Sequence, residues 1–108
     1  MISSTIAAYG RIDILHNHAG IQIAGNAEQV EPKGMDISYQ VNTRAHYYAA
    51  RKAIPFMKKQ GGGVIINTAS NSGVFYGSEM LAYTTSKAAT IAMTKQMAVD
   101  YAKYNIRI

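Results

Sequence analysis

Apolar positions recur along this chain in two alternating rhythms. From Ile2 to Tyr9, from Asp36 to about Lys59 and from Leu81 to Tyr104 they return every three or four residues, the spacing of one helix face. Ile12 to Asn17 and Val64 to Ile66 are instead short, dense runs of strand length, and Ile106 to Ile108 opens a third. In the middle helix the spacing selects Val41, Ala45, Tyr48, Ala49, Ala53 and Phe56 as the packed face, with Pro55 expected to bend or tighten the last turns. Glycine punctuates the pattern. Gly10 closes the first helix, Ala19-Gly20 turns the chain after the first strand, and Gly61, Gly62 and Gly63 end the second helix. A loop of about fifteen residues containing Gly25, Pro32 and Gly34 precedes Asp36, and a loop that long usually carries function. A second polar loop runs from Ser70 to Met80.

The order is helix, strand, helix, strand, helix, strand, which argues for an α/β fold with a parallel sheet and crossover helices. Right-handed crossovers that step the same way across a sheet put their helices on one face. The strand cores IDIL and VII are apolar at successive positions and call for cover on both faces. Half of that cover is not supplied by these residues, so residues 1–108 read as a partial doubly wound domain, its central and C-terminal core.

Composition narrows the classes. At 108 residues there is room for one small domain, and the absence of cysteine excludes a disulfide framework or a Cys-based metal site. The net charge of +5 does not read as a nucleic-acid footprint, because Arg44, Arg51 and Lys58 recur every seven residues as on the solvated face of a helix. No run approaches the roughly 20 apolar residues of a membrane span, and no signal peptide is visible, so the expected location is cytoplasmic.

The stretch from Val64 to Lys87 carries the candidate chemistry. It runs from a strand through a polar loop into a helix on which Tyr83 and Lys87, four residues apart, share one face. An ammonium beside a phenol favours the phenolate, which suits proton exchange with a substrate oxygen. Spacing alone is weak, since Tyr48 and Lys52 form a second such pair, but that one sits mid-helix with no polar loop before it. In open parallel sheets ligands bind beyond the carboxyl ends of the strands. Asn17 and Ser70 lie at or just past two of these ends, with Asn42, Tyr83 and Lys87 in early helix turns, so all five can reach one edge.

Each residue also has a plainer role. Ser70 can cap a turn, with Ser72 as a neighbouring competitor; Asn42 is a poor helix-interior residue that exposure or a local backbone bond would explain; Lys87 alone would be solvated. His16 and His18 share a strand face, but without a third ligand nearby they read as locally hydrogen-bonded rather than metal-binding. The six methionines read as packing.

These residues, in this order, resemble the short-chain dehydrogenases/reductases. Asn17-His18-Ala19-Gly20 after Asp13-Ile14-Leu15 is similar to the family's Asn-Asn-Ala-Gly segment, and Val41-Asn42 to its helix asparagine. Ile66-Asn67-Thr68-Ala69-Ser70 is similar to its serine-bearing strand and loop, Tyr83-Thr84-Thr85-Ser86-Lys87 to its Tyr-x-x-x-Lys, and the serine-to-tyrosine spacing of 13 fits as well. Asn105-Ile106-Arg107-Ile108 resembles the opening of its sixth strand.

The resemblance implies a Rossmann-like doubly wound fold and hydride transfer between NAD or NADP and a small carbonyl or alcohol substrate. In that scheme Tyr83 exchanges the hydroxyl proton, Lys87 holds the nicotinamide ribose and poises Tyr83, Ser70 orients the substrate oxygen, and Asn42 supports a water-linked proton relay. Asn17, Ala19 and Gly20 would form the cofactor-binding turn, with Asn17 beside the adenosine half and no metal involved. The resemblance also implies pairing into a homo-oligomer through the two long helices, to which Ala82, Ala88, Ala89 and Ala92 would allow close approach.

His18 replaces the family's second Asn, Gly34 or Met35 stands where a Trp is common, and no Gly-x-x-x-Gly-x-Gly loop is present. Without such a loop these residues offer no backbone cradle for a pyrophosphate, so the chain alone is expected to bind cofactor poorly and to be inactive. A noncatalytic remnant acting only as an interaction fragment, or an epimerase-type relative, would carry the same motifs; substrate and the choice between NAD and NADP are not encoded here.

Overall fold

Turn chemistry sets most element boundaries in the computed structural model, which describes residues 1–108. Helix α1 (Ile2–Tyr9) ends where Gly10 takes the left-handed conformation at φ 74°, and its N–H returns to the Ile6 carbonyl. Strand β1 (Ile14–Asn17) follows. The long middle helix consists of α2 (Pro32–Tyr39), a π-helical turn (Gln40–Arg44) and α3 (Ala45–Gln60), ended by Gly61 at φ 90°. Then come β2 (Gly63–Asn67), a short 3-10 turn (Asn71–Gly73), α4 (Leu81–Tyr101), another 3-10 turn (Ala102–Tyr104) and β3 (Ile106–Arg107).

The strands form one parallel sheet in the order β1-β2-β3, as the alternating rhythm predicts. Ile14 pairs with Val64 and Asn17 with Asn67 across β1 and β2, while Gly63 pairs with Ile106 across β2 and β3. Gly62, at φ 146°, lets the backbone pass close to the residue before β3: a Cβ there would lie 2.6 Å from the Asn105 carbonyl oxygen.

Two features of the middle helix differ from the sequence expectation. It starts at Pro32 rather than Asp36, because proline at the first helical position sacrifices no hydrogen bond, and Gly34 therefore lies inside the helix, packed against Ile23. The packed face is also turned. From the π turn onward the buried residues are Asn42, His46, Ala50, Ala53, Ile54 and Met57, whereas Ala45, Tyr48 and Phe56 are exposed and Val41 and Ala49 half-buried; of the expected face only Ala53 is buried. The π turn contributes to this by changing the helical phase around Asn42. The larger reason is that two polar residues, Asn42 and His46, occupy the inner face and are bonded there.

Both crossovers place their helices on the same side of the sheet. Leu15, Ile65 and Ile106 point to that side and pack with Ala50, Ala53, Ile54 and Met57 of α3 and Met97 of α4, with Ile2 of α1 joining the cluster. The opposite sheet face is open: Ile14 is 62% and Ile66 46% exposed. The one-sided cover expected from crossover handedness is therefore observed. No helix is long and apolar enough to cross a membrane.

Adjacent residues of β2 thus face opposite environments. Ile65→Ala is expected to cost the chain about 2–5 kcal/mol, and Ile66→Ala less than about 1 kcal/mol, in urea unfolding. Equal losses would show that the open face is covered in solution.

Candidate functional site

The carboxyl ends of β1 and β2 lead into two segments, residues 17–22 and 68–73, that meet the first turns of α4. Asn42 brings these elements together. It is fully buried in the π turn, and both ends of its amide are bonded across the gap. Its Oδ1 accepts the Ile21 N–H at 2.7 Å, and its Nδ2 donates to the Ile21 carbonyl at 2.8 Å and to Ser86 Oγ at 2.9 Å. The Thr90 hydroxyl donates to the Asn42 carbonyl at 2.8 Å, and the Thr43 hydroxyl to the Ser86 carbonyl at 2.8 Å. The π turn and α4 are thereby cross-linked from both sides.

A second amide relay joins the ends of β1 and β2 to α4. Asn17 is buried, and its Nδ2 donates to Asn67 Oδ1 at 2.9 Å and to the His46 carbonyl at 3.5 Å, while Asn67 Nδ2 donates to Thr94 Oγ1 at 3.0 Å. The Asn17 side chain turns inward, because three elements meeting at one strand end need a buried polar group to join them. One residue on, the exposed His18 turns outward.

Lys87 is 2% exposed. Its Nζ donates to the Thr68 carbonyl at 2.8 Å and lies 5.8 Å from the centroid of the Tyr83 ring. Gly20 passes directly beside the ammonium: a Cβ on it would sit 3.3 Å from Nζ and 3.5 Å from Asn42 Oδ1. A cavity of about 300 Å³ opens here, lined by Gly20, Ile21, Thr68, Ala69, Tyr83 and Lys87 together with His18 and Gln22. Tyr83 is half-buried in this lining, and its hydroxyl has no hydrogen-bond partner within the chain.

Ser70 is placed just past this lining. Its Oγ accepts the Ser72 N–H at 3.1 Å and donates to Asn71 Oδ1 at 3.2 Å, so its hydroxyl caps the 3-10 turn. That turn is seated on α4, since a Cβ on Gly73 would lie 2.8 Å from Ile91 Cδ1 and 3.0 Å from the Ala88 nitrogen. Of the predicted residues, Gly20, Tyr83 and Lys87 line one cavity and Asn42 braces it from behind. Ala19 contributes its carbonyl to the bracing, Asn17 joins the strands beneath, and Ser70 adjoins through Ala69. The other Tyr–Lys pair lies elsewhere: Tyr48 is 46% exposed on the outer helix face, where its hydroxyl accepts from Arg44 Nη2 at 2.9 Å.

His16 and His18 both bond Thr68 Oγ1, at 3.1 and 3.0 Å, the local hydrogen bonding expected of strand-end histidines. Two participants escaped the sequence reading. Thr68 serves both histidines through its hydroxyl and Lys87 through its carbonyl. His46, 1% exposed, donates from Nε2 to the Ala19 carbonyl at 3.1 Å. Its place one helical turn after Asn42 was the available signal. Burial holds its imidazole below the ordinary range; the Ala19 bond opposes this, and the Lys87 charge adds to the lowering.

A family model described as short chain dehydrogenase matches residues 1–108. The chain belongs to that family. An uncharacterized oxidoreductase of Thermotoga maritima is 39% identical over 108 residues, all of this chain and 43% of its own length. A short-chain dehydrogenase/reductase structure from Burkholderia xenovorans superposes with a TM-score of 0.96 at 31% identity, over 99% of this chain and 43% of that one. A 7α-hydroxysteroid dehydrogenase complexed with NADH and 7-oxo glycochenodeoxycholic acid superposes with a TM-score of 0.93 at 29% identity, over 98% of this chain and 41% of that one. This short-chain dehydrogenase chain thus spans less than half the length of the relatives it matches, and its parallel sheet with crossover helices is the family's α/β fold.

The lowered His46 pKa has a definite sign in stability. Above about pH 6.5 the ring is neutral both folded and unfolded, and its contribution is fully present. As pH falls below that value the unfolded chain takes up a proton that the folded one resists, so stability declines until the folded-state pKa is passed. Urea midpoints between pH 7.5 and 5 are expected to fall, and His46→Gln to flatten the decline. The exposed Arg11–Asp13 pair lowers the Asp13 pKa, so whatever it contributes is present above about pH 4 and is lost only as pH falls below that value.

Proposed function

We propose that this chain is the catalytic portion of a nicotinamide-dependent oxidoreductase that interconverts a small carbonyl compound and its alcohol. The observation that carries the reading is the meeting of Tyr83, Lys87 and the bare Gly20 backbone in one cavity at the carboxyl edge of a parallel sheet. No carboxylate lines that cavity, so nothing in it competes with substrate oxygen or ribose for the ammonium.

The residues fit the ribose half of a nicotinamide cofactor. Lys87 Nζ has three N–H donors and one protein acceptor, Thr68, leaving two for ribose hydroxyls. Gly20 leaves open the space a side chain would fill beside Nζ, and Ala19 continues the same turn. When bound, the cofactor supplies or accepts the hydride. In reduction, Tyr83 gives its hydroxyl proton to the developing alkoxide, and the Lys87 ammonium stabilises the phenolate left behind; oxidation reverses both transfers. Asn42 is the brace that keeps Gly20 and Lys87 at this separation, and its place in a proton relay would use the same buried site. Ser70 would orient the substrate oxygen by exchanging its bond to Asn71 for one to the ligand. The NADH in the hydroxysteroid dehydrogenase complex supports the cofactor class, NAD or NADP.

The remaining length of the family's proteins would supply the pyrophosphate cradle and cover the sheet face on which Ile14 and Ile66 are exposed. The groove between α3 and α4, where Tyr47, Ile54, Met93 and Tyr101 line a cavity of about 500 Å³, supports pairing of two copies through the long helices.

The test is a screen of carbonyl substrates with NADH and NADPH, followed by Tyr83→Phe in the protein that turns over. Loss of one positioned proton donor is expected to lower kcat by about 10²–10⁴-fold with the cofactor Kd little changed. Turnover undiminished in that variant would remove Tyr83 from the chemistry.

A further inference from the structure

The segment that forms the floor of the cavity is held from one side. Residues 19–21 make no hydrogen bond to any other main-chain group. Their anchors are side chains of one helix face: Asn42, which holds the Ile21 N–H and carbonyl, and His46, one turn further on, which holds the Ala19 carbonyl. Gly20 lies between these two anchor points and carries the close approach to Lys87 Nζ.

We propose that His46 is a positioning residue of the cofactor cavity, its Nε2–H fastening the Ala19 carbonyl so that the Gly20 backbone is kept against the Lys87 ammonium. The role in binding rests on the cofactor reading above; the bond and its tautomer do not. A carbonyl can only accept, so the ring nitrogen facing it must carry the proton. The other nitrogen, Nδ1, is buried without any partner. Placing a proton there would bury an unpaired N–H and a positive charge, with Lys87 of α4 the cation that bears on the ring. The neutral Nε2–H form is therefore the one that fits, and it explains why a histidine is accommodated on a core-facing helix position at 1% exposure. The same residue closes the relay behind it, since its backbone carbonyl accepts from Asn17 Nδ2. Replacing the ring by an apolar side chain would leave the Ala19 carbonyl without its anchor and let Gly20 drift from Lys87.

The experiment uses the full 108-residue chain. Two-bond nitrogen–proton NMR of the imidazoles at pH 7 is expected to show His46 neutral, protonated on Nε2 and not on Nδ1. Amide hydrogen exchange at Ile21, whose N–H is bonded to Asn42 Oδ1, is expected to accelerate about tenfold in His46→Leu as the segment loses the equivalent of one net hydrogen bond. It should return to within about threefold of the parent in His46→Gln, whose terminal amide N–H reaches a similar point. A merely space-filling residue would show neither the tautomer nor the rescue.

An imidazolium or an Nδ1–H ring at pH 7, or exchange in a folded His46→Leu equal to the parent, overturns the proposal. If His46→Leu does not fold, the parent tautomer and the exchange of His46→Gln decide it. Failure of Tyr83→Phe to alter turnover would remove the catalytic reading while leaving both of these readouts intact, so the two failures are distinguishable.

Discussion

The site depends on one buried amide. Asn42 is a polar side chain with no solvent exposure on a helix face, an arrangement that costs free energy unless every donor and acceptor is used. Here they are used: two bonds to the Ile21 backbone and one to Ser86 Oγ. A net hydrogen bond contributes only about 1 kcal/mol, but each buried group left without its partner costs about 1–3 kcal/mol, so the arrangement tolerates little displacement. That makes the amide a geometric fastener between the loop after β1, the π turn and α4. The Thr90 bond to the Asn42 carbonyl reinforces the same junction from α4.

From that junction the functional geometry follows. Fastening Ile21 fixes the loop on which Gly20 sits, and bonding Ser86 fixes the rotation of α4, whose neighbouring residue is Lys87. The Lys87 ammonium is then held by the carbonyl of Thr68, the residue just past β2, and faces Tyr83 across one helical turn. Chemistry that relies on a proton donor and a nearby cation needs this kind of prior placement, because an ammonium free to move would be hydrated instead of poised. The hydrophobic core lies on the same side of the sheet as the two helices and sets their distance from the strands, while the polar network sets their register.

Some of this was written openly in the sequence. The change of apolar spacing between 3.6 and strand-like runs gave the element order, and alternation implied the parallel sheet. Crossover handedness implied one covered face, which the exposure of Ile14 and Ile66 displays. The shared face of Tyr83 and Lys87 follows from four-residue spacing alone. The packed face of the middle helix was not legible in the same way, because counting apolar residues treats Asn42 and His46 as solvated and cannot detect the phase change of a π turn. The inward turn of Asn17 was not legible for a related reason: a polar residue at a strand end can face ligand or protein, and only its neighbours in space decide which; the capping bond of Ser70 was one of the two roles its loop position allowed. Pro32 was read as part of a loop, although at the first helical position its missing N–H costs nothing.

The central claim is that Asn42 and Ser86 act as one unit joining the π turn to α4. It is tested most directly by a double-mutant cycle in urea unfolding with Asn42→Ala, Ser86→Ala and the pair. The bond between them predicts a coupling free energy of about 1–2 kcal/mol, so that the double variant loses less than the two single losses combined. Strict additivity of the two losses would contradict it.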